Sequence, residues 1–117
     1  MSLTIDITKK KEGVYIIALA GSLDSVAYND CNKKVDELLI KPAKVLIFDM
    51  KKLNYIGSLG FSILIKARRV LEGGGGVLAL VNIPPEIRKV FDLVKIMPDR
   101  LFGSMEEVEE HLKKMLA

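Results

Sequence analysis

Few residues in this chain of 117 could do covalent or acid–base chemistry, and their spacing limits what that chemistry is. Ser58 stands out, in Gly57-Ser58-Leu59-Gly60, where a tight turn leads into a helix and puts a hydroxyl at the helix start. The simplest role for such a serine is to cap the helix, and many caps do nothing else. Asp24 and Asp49 are each read at or just past the C-terminal end of a strand, where both could approach the Ser58 loop. Their minimum explanation is local, Asp24 as a helix cap and Asp49 as a turn former. Two carboxylates alone are a weak sign of acid–base chemistry, and no pocket-forming partners accompany them. His111, the only histidine, lies among glutamates with no serine or cysteine that the sequence places beside it, and reads as a surface residue. Cys31 falls on an apolar helix stripe as a small buried hydrophobe. Gly73-Gly74-Gly75-Gly76 invites a phosphate-loop reading, but no Gly-Lys-Ser/Thr follows, and the run comes after a helix and before a strand. It reads as a helix stop. No nucleophile–base pair or metal set can be assembled, so the residues point to a binding protein without a cofactor and not to an enzyme.

Those groups are positioned by a regular succession of elements. Leu3, Ile5 and Ile7 alternate with Thr4, Asp6 and Thr8, the pattern of a half-buried strand. After a turn near Glu12-Gly13, Val14 to Ala20 makes a more buried hairpin partner, ended by Gly21. Asp24 or Ser25 caps a helix running to about Ile40, with Ala27 or Tyr28, Cys31, Val35, Leu38 and Leu39 inward and Pro42 as its stop. Residues 44–49 read as a strand buried on both faces, the helix from about Ser58 to Glu72 follows, and Val77 to Val81 is another buried strand. Pro84-Pro85 starts a short helix through about Leu93, and residues 100–102 form a last short strand. Ser104 and Glu107 make a capping box for a terminal helix whose inward side is Met105, Val108, Leu112 and Met115 or Leu116.

The order is ββαβαβαβα in a single domain over residues 1–117, an α/β chain whose short loops imply mostly parallel pairing. The C-terminal end of the central strand, before Ser58, is the expected functional edge. On the helix that follows, steps of about 100° gather Leu59, Ile63, Leu64, Ala67, Val70 and Leu71 on a face that can pack on the sheet. Phe61 and Ile65 fall opposite, among Ser62, Arg68, Arg69 and Glu72, as one apolar patch expected to be exposed. Such a patch is either covered by a second layer of the domain or is a docking face with Ser58 at its edge.

Composition narrows the classes further. Eighteen Lys and Arg against fifteen Asp and Glu leave a net charge of +3, and the basic pairs are scattered without interleaved aromatics. That describes a solvated surface, with no direct nucleic-acid groove. One cysteine excludes an internal disulfide and suits a reducing cytoplasm. No apolar run has the length of a signal peptide or a transmembrane segment, so a cytoplasmic protein is expected.

Several of these stretches resemble the STAS domain, specifically the stand-alone bacterial anti-sigma factor antagonists. The resemblance is carried by Gly21-Ser22-Leu23-Asp24, by Val45-Leu46-Ile47-Phe48-Asp49, and by Leu53 to Phe61. It continues through the glycine-ended helix, Leu78-Ala79-Leu80-Val81-Asn82, Val90-Phe91-Asp92-Leu93 and Leu101-Phe102. It implies the STAS fold, a mixed and mostly parallel sheet with helices packed chiefly on one face. It also implies a partner, an anti-sigma factor that is itself a serine kinase, whose capture frees a sigma factor. In that family the loop typically reads Asp-Ser-Ser/Thr-Gly, and its first serine, phosphorylated by the kinase, corresponds to Ser58. The implied contact surface is Asp24, Asp49, Gly57, Ser58, Leu59, Gly60, Phe61, Ser62 and Ile65. Two departures stand in the loop: the family's aspartate is Gly57 here, and its second hydroxyl residue is Leu59. They favour an alternative, a STAS accessory or scaffold subunit of a transporter or signalling complex that uses the same face without phosphorylation. Weak nucleotide binding is a third implication of the resemblance, for which the chain carries no motif.

Overall fold

The computed structural model describes residues 2–41, 43–95 and 98–116, with residues 115 and 116 described by backbone alone. Strands β1 (Leu3–Lys11) and β2 (Val14–Leu23) form the expected antiparallel hairpin. Then follow α1 (Tyr28–Ile40), β3 (Val45–Ile56), α2 (Ser58–Gly73), β4 (Val77–Val81) and α3 (Pro85–Val94). A 3-10 turn at Pro98–Arg100 leads into β5 (Leu101–Phe102) and α4 (Met105–Leu116). The five strands lie in the order β1-β2-β3-β4-β5, and every pair after the hairpin is parallel. Pro42, expected to stop α1, and the side chains of Met115 and Leu116 lie outside the described residues.

The alternation of β3 explains the layering. Leu46, Phe48 and Met50 point to a core shared with α1, α2 and α3, while Val45 and Ile47 point to a second cluster that includes Val108 of α4. Three helices therefore cover one face and one helix the other. All of β4 is buried, as a strand covered on both faces must be.

Two strands run further than their patterns suggest. β2 continues through Gly21 to Leu23, and β3 continues past Asp49 to Ile56, paired as Gly21 with Leu53 and Leu23 with Ile56. The register slips between Ala18 and Ala20 and again between Gly21 and Ser22. Such bulges break the two-residue alternation, so the buried residues of the extension come at Met50, Leu53 and Ile56 instead. Gly21 makes this possible: its φ is +106°, and a Cβ there would sit 2.1 Å from the Ser2 carbonyl oxygen.

Helix ends follow the expected chemistry with small displacements. Asp24 Oδ1 accepts the N–H groups of Val26 and Ala27, so it caps a turn and α1 begins only at Tyr28. The glycine run stops α2, with the N–H of Gly76 donating to the Leu71 carbonyl at 2.7 Å. Ser104 Oγ accepts the N–H of Glu107, and the Glu107 carboxylate reaches back to the N–H of Gly103. Cys31 is fully buried, and burial pushes its thiol up to about 11. His111 is half-buried, its ring tilted against Phe102 at a centroid distance of 5.1 Å.

Candidate functional site

The ends of β2 and β3 meet where α2 begins. The N–H of Gly57 donates to the Leu23 carbonyl at 3.0 Å, tying the start of α2 to the loop that carries Asp24. Gly60 lets α2 come this close, because a Cβ there would lie 2.7 Å from the Ile56 side chain and 2.9 Å from that of Leu23. The glycine after Ser58-Leu59 is thus a packing requirement of the helix entry.

Ser58 does not take the capping role. Gly57 occupies the N-cap position in extended backbone, and Ser58 is the first helical residue, exposed, with no side-chain capping bond at this end. The first intrahelical bond runs from the N–H of Phe61 to the Gly57 carbonyl. The N–H groups of Ser58, Leu59 and Gly60 precede it and point out of the helix end. No acidic residue stands in the first turn, so the positive end of the helix dipole faces outward uncompensated beside a hydroxyl. Ser62, one turn later, is different: its hydroxyl donates back to the Leu59 carbonyl at 2.5 Å.

The apolar patch of α2 is not the one its wheel suggests. Phe61, expected in solvent, is only 9% exposed and meets Phe91 of α3 edge-on at 4.9 Å. The cause is α3, which brings Phe91 against Phe61, so that the buried residues of α2 are Gly60, Phe61, Ile63, Leu64, Ala67 and Leu71. Leu59 and Val70, expected inward, are exposed instead. Ile65 remains 45% exposed as expected, and Leu59 is 42% exposed. With Ser62 between them at three-residue spacing, they form one outer stripe that begins next to Ser58.

Asp49 is a second correction. Because β3 runs on to Ile56, Asp49 lies inside the strand between Phe48 and Met50, on the sheet face away from α2. Its Oδ1 accepts the N–H of Lys51 at 3.1 Å and the side-chain amide of Asn82 at 3.2 Å. It therefore does not converge with Asp24 on the Ser58 loop. Asp24 does sit beside that loop, its carboxylate engaged by the backbone of its own turn.

Tyr55 is a site residue that the sequence reasoning missed. It pairs with Ser22 at the end of the sheet, is 52% exposed, and lies against Gly57. A Cβ at Gly57 would be 3.2 Å from the Tyr55 hydroxyl, so the missing side chain of the loop is matched by an aromatic leaning into its place. The signal was an aromatic two residues before the glycine. It becomes readable only once β3 is known to extend that far.

Comparison with known proteins gives the same architecture. A family model described as the STAS domain matches residues 7–114. The anti-sigma F factor antagonist of Paenibacillus polymyxa is 25% identical over 115 residues, covering 93% of this chain and 97% of the relative. Unphosphorylated SpoIIAA, an anti-sigma factor antagonist, superposes with a TM-score of 0.83 at 22% identity, covering 95% of this chain and 97% of that one. Phosphorylated SpoIIAA, described as a Bacillus cell fate determinant, superposes with a TM-score of 0.76 at 22% identity, covering 93% of this chain and 99% of that one.

Proposed function

Because the chain belongs to the STAS domain family, we propose that it is an anti-sigma factor antagonist switched at Ser58. With Ser58 unmodified, it docks on an anti-sigma factor that is a serine kinase and frees a sigma factor in the cytoplasm. The observation that carries this reading is the state of Ser58: exposed, at the first helical position, and not used as a cap. Around it Tyr55, Leu59 and Ile65 offer apolar surface, and Asp24 lies on the adjoining loop. The names of the relatives support the same reading, one of them a structure of the phosphorylated form.

A phosphate on Ser58 adds about −1.5 to −2 charges at neutral pH. Against the free N–H groups of the helix end it is favourable by roughly 0.3–1 kcal/mol, so the free protein keeps its fold. The penalty falls on docking, where a doubly charged group must lose its water against a surface shaped for a hydroxyl, at a cost of several kcal/mol unless the partner supplies a cation. Each ~1.4 kcal/mol is tenfold in affinity, so the modification switches binding without moving the backbone. Calorimetry with the cognate partner tests this. Ser58→Ala should bind like the unmodified protein and Ser58→Glu at least about tenfold more weakly. Equal affinity for wild type and Ser58→Glu rules out the switch.

Gly57 favours a second reading, a STAS accessory subunit that uses this face without phosphorylation, since neither the N-cap nor the first turn carries a carboxylate to orient the serine or meet a kinase. Mass spectrometry of Ser58 from the native cell, with identification of co-purified proteins, separates the two.

A further inference from the structure

The hydroxyl of Tyr55 stands where a capping side chain for α2 would begin. A Cβ at Gly57, the N-cap residue, would meet that hydroxyl at 3.2 Å and the adjoining ring carbons at 3.4 and 3.7 Å. An N-cap side chain reaches the N–H of the second or third helical residue, so its place lies over the end of the helix. Glycine leaves that place open, and the phenol end of Tyr55 lies against it. Strand geometry brings it there. Ile56 turns into the core at 7% exposure, so its neighbour Tyr55 points to the opposite side and is 52% exposed.

This hydroxyl is uncommitted. Among the described residues it makes no hydrogen bond, and the start of α2 has no side-chain cap. A phenol has one O–H to donate. A phosphoryl group on Ser58, the residue after the glycine, would set three strong acceptor oxygens at the same helix end. The free N–H groups of Ser58, Leu59 and Gly60 can answer them from the helix, and the phenol can answer them from the side of Gly57. A hydrogen bond to an ionised phosphate is stronger than one between neutral groups.

From this placement we infer that Tyr55 is a positioning residue for the modified site: its hydroxyl donates to a phosphate oxygen on Ser58 and holds the group over the end of α2. The inference rests on the Ser58 reading and adds the side chain that receives the phosphate. A phosphate held in this way stays on the surface that docks and does not swing out into solvent.

Phosphoserine incorporated at position 58 during translation tests this without a kinase. Phosphorus NMR then follows the second ionisation of the phosphate, which lies at about pH 6 for a phosphoserine that nothing holds. Each donor favours the dianion, so losing one raises the midpoint. Tyr55→Phe, which keeps the ring, should raise it by about 0.5 pH unit, roughly threefold in the protonation equilibrium. Asp24 is present in both proteins, so its repulsion cancels in the comparison. The phenol-carbon NMR signal of Tyr55, identified by its loss in the variant, should titrate with the phosphate, and those of Tyr15 and Tyr28 should not. Thermal unfolding checks that both proteins keep the same fold. Equal midpoints overturn the inference. If both lie below that of an unheld phosphoserine, the N–H groups alone hold the phosphate, and if both match it, the phosphate points into solvent. A Tyr55 signal that ignores the phosphate overturns it as well. The Ser58 reading fails separately, by equal affinity of the phosphorylated and unmodified proteins for the partner.

Discussion

At the C-terminal end of α2, Arg68 donates to both carboxylate oxygens of Asp99, at 3.1 and 2.9 Å, and to Glu72 at 3.0 Å. Arg100 joins Glu72 from the 3-10 turn before β5, and the glycine run returns its N–H groups to the last carbonyls of the helix. At the N-terminal end the N-cap is a glycine, the first turn holds no acid, and Ser58 and Leu59 stand open to solvent. The same helix is therefore tied down at one end and left with unanswered donors at the other. Paired groups fix the helix in place but have little more to offer a partner. Unanswered N–H groups beside an exposed hydroxyl can still gain a bond, whether from a docking surface or from a phosphate.

The largest test of that contrast compares two neighbours in the first turns. Phe61→Ala should destabilise the protein by about 3–5 kcal/mol in urea unfolding, because it opens a cavity against Phe91. Leu59→Ala should change stability by less than ~0.5 kcal/mol and weaken partner binding by about 1–3 kcal/mol. If the two variants were equally mild in unfolding, Phe61 would not be part of the core, and the open end would be larger than described.

Gly57→Asp asks what the open end lacks. The backbone at Gly57, with φ −98° and ψ −178°, accepts any residue, and only the exposed Tyr55 ring must give way. An aspartate at this position caps the helix, and relative to glycine the gain is a few tenths of a kcal/mol. On the proposed function, in which the partner is a kinase acting on Ser58, phosphate transfer to Ser58 should become faster. An unchanged rate means that the carboxylate is dispensable in this protein and that the serine is recognised by backbone and apolar contacts.

Much of this was legible in local pattern. The hairpin, the helix stop at Gly73 to Gly76, the proline start of α3 and the capping box at Ser104 each depend on a few neighbouring residues, and the structure has them all. What was not legible depends on packing between distant elements. The wheel of α2 treats the sheet as its only neighbour, whereas α3 covers the flank that carries Phe61. The extension of β3 rests on bulges opposite Ala18 to Ser22, which scramble the alternation that would have announced it. Asp49 then falls inside a strand and Tyr55 at the edge of the site, although neither residue is unusual in its own sequence neighbourhood. Ser58 was singled out for its flanking glycines, and its promotion from cap to first helical residue came only with the backbone.

The smallest effect separates the two ends by pH. The guanidinium of Arg68, hydrogen-bonded to Asp99, holds that carboxyl below its usual range, with Arg100 adding its charge and partial desolvation opposing. A carboxyl whose folded pKa is depressed stabilises the fold above its unfolded pKa, about 4, and loses that contribution as pH falls through the folded value. Arg68 stays charged throughout, so Asp99 is the member of the pair that titrates. Its side chain is 54% exposed, which limits the contribution to about 0–1 kcal/mol, less in salt. Asp99→Asn should therefore be slightly less stable than wild type near neutral pH. The difference should close as both are taken below the unfolded carboxylate range. At the other end no acid stands in the first turn, so Ser58→Ala should run parallel to wild type at every pH. A constant gap for Asp99→Asn, extending into acid, would mean that the asparagine disturbs packing and that the ion pair contributes nothing. The firmness of the C-terminal end would then rest on the glycine stop alone.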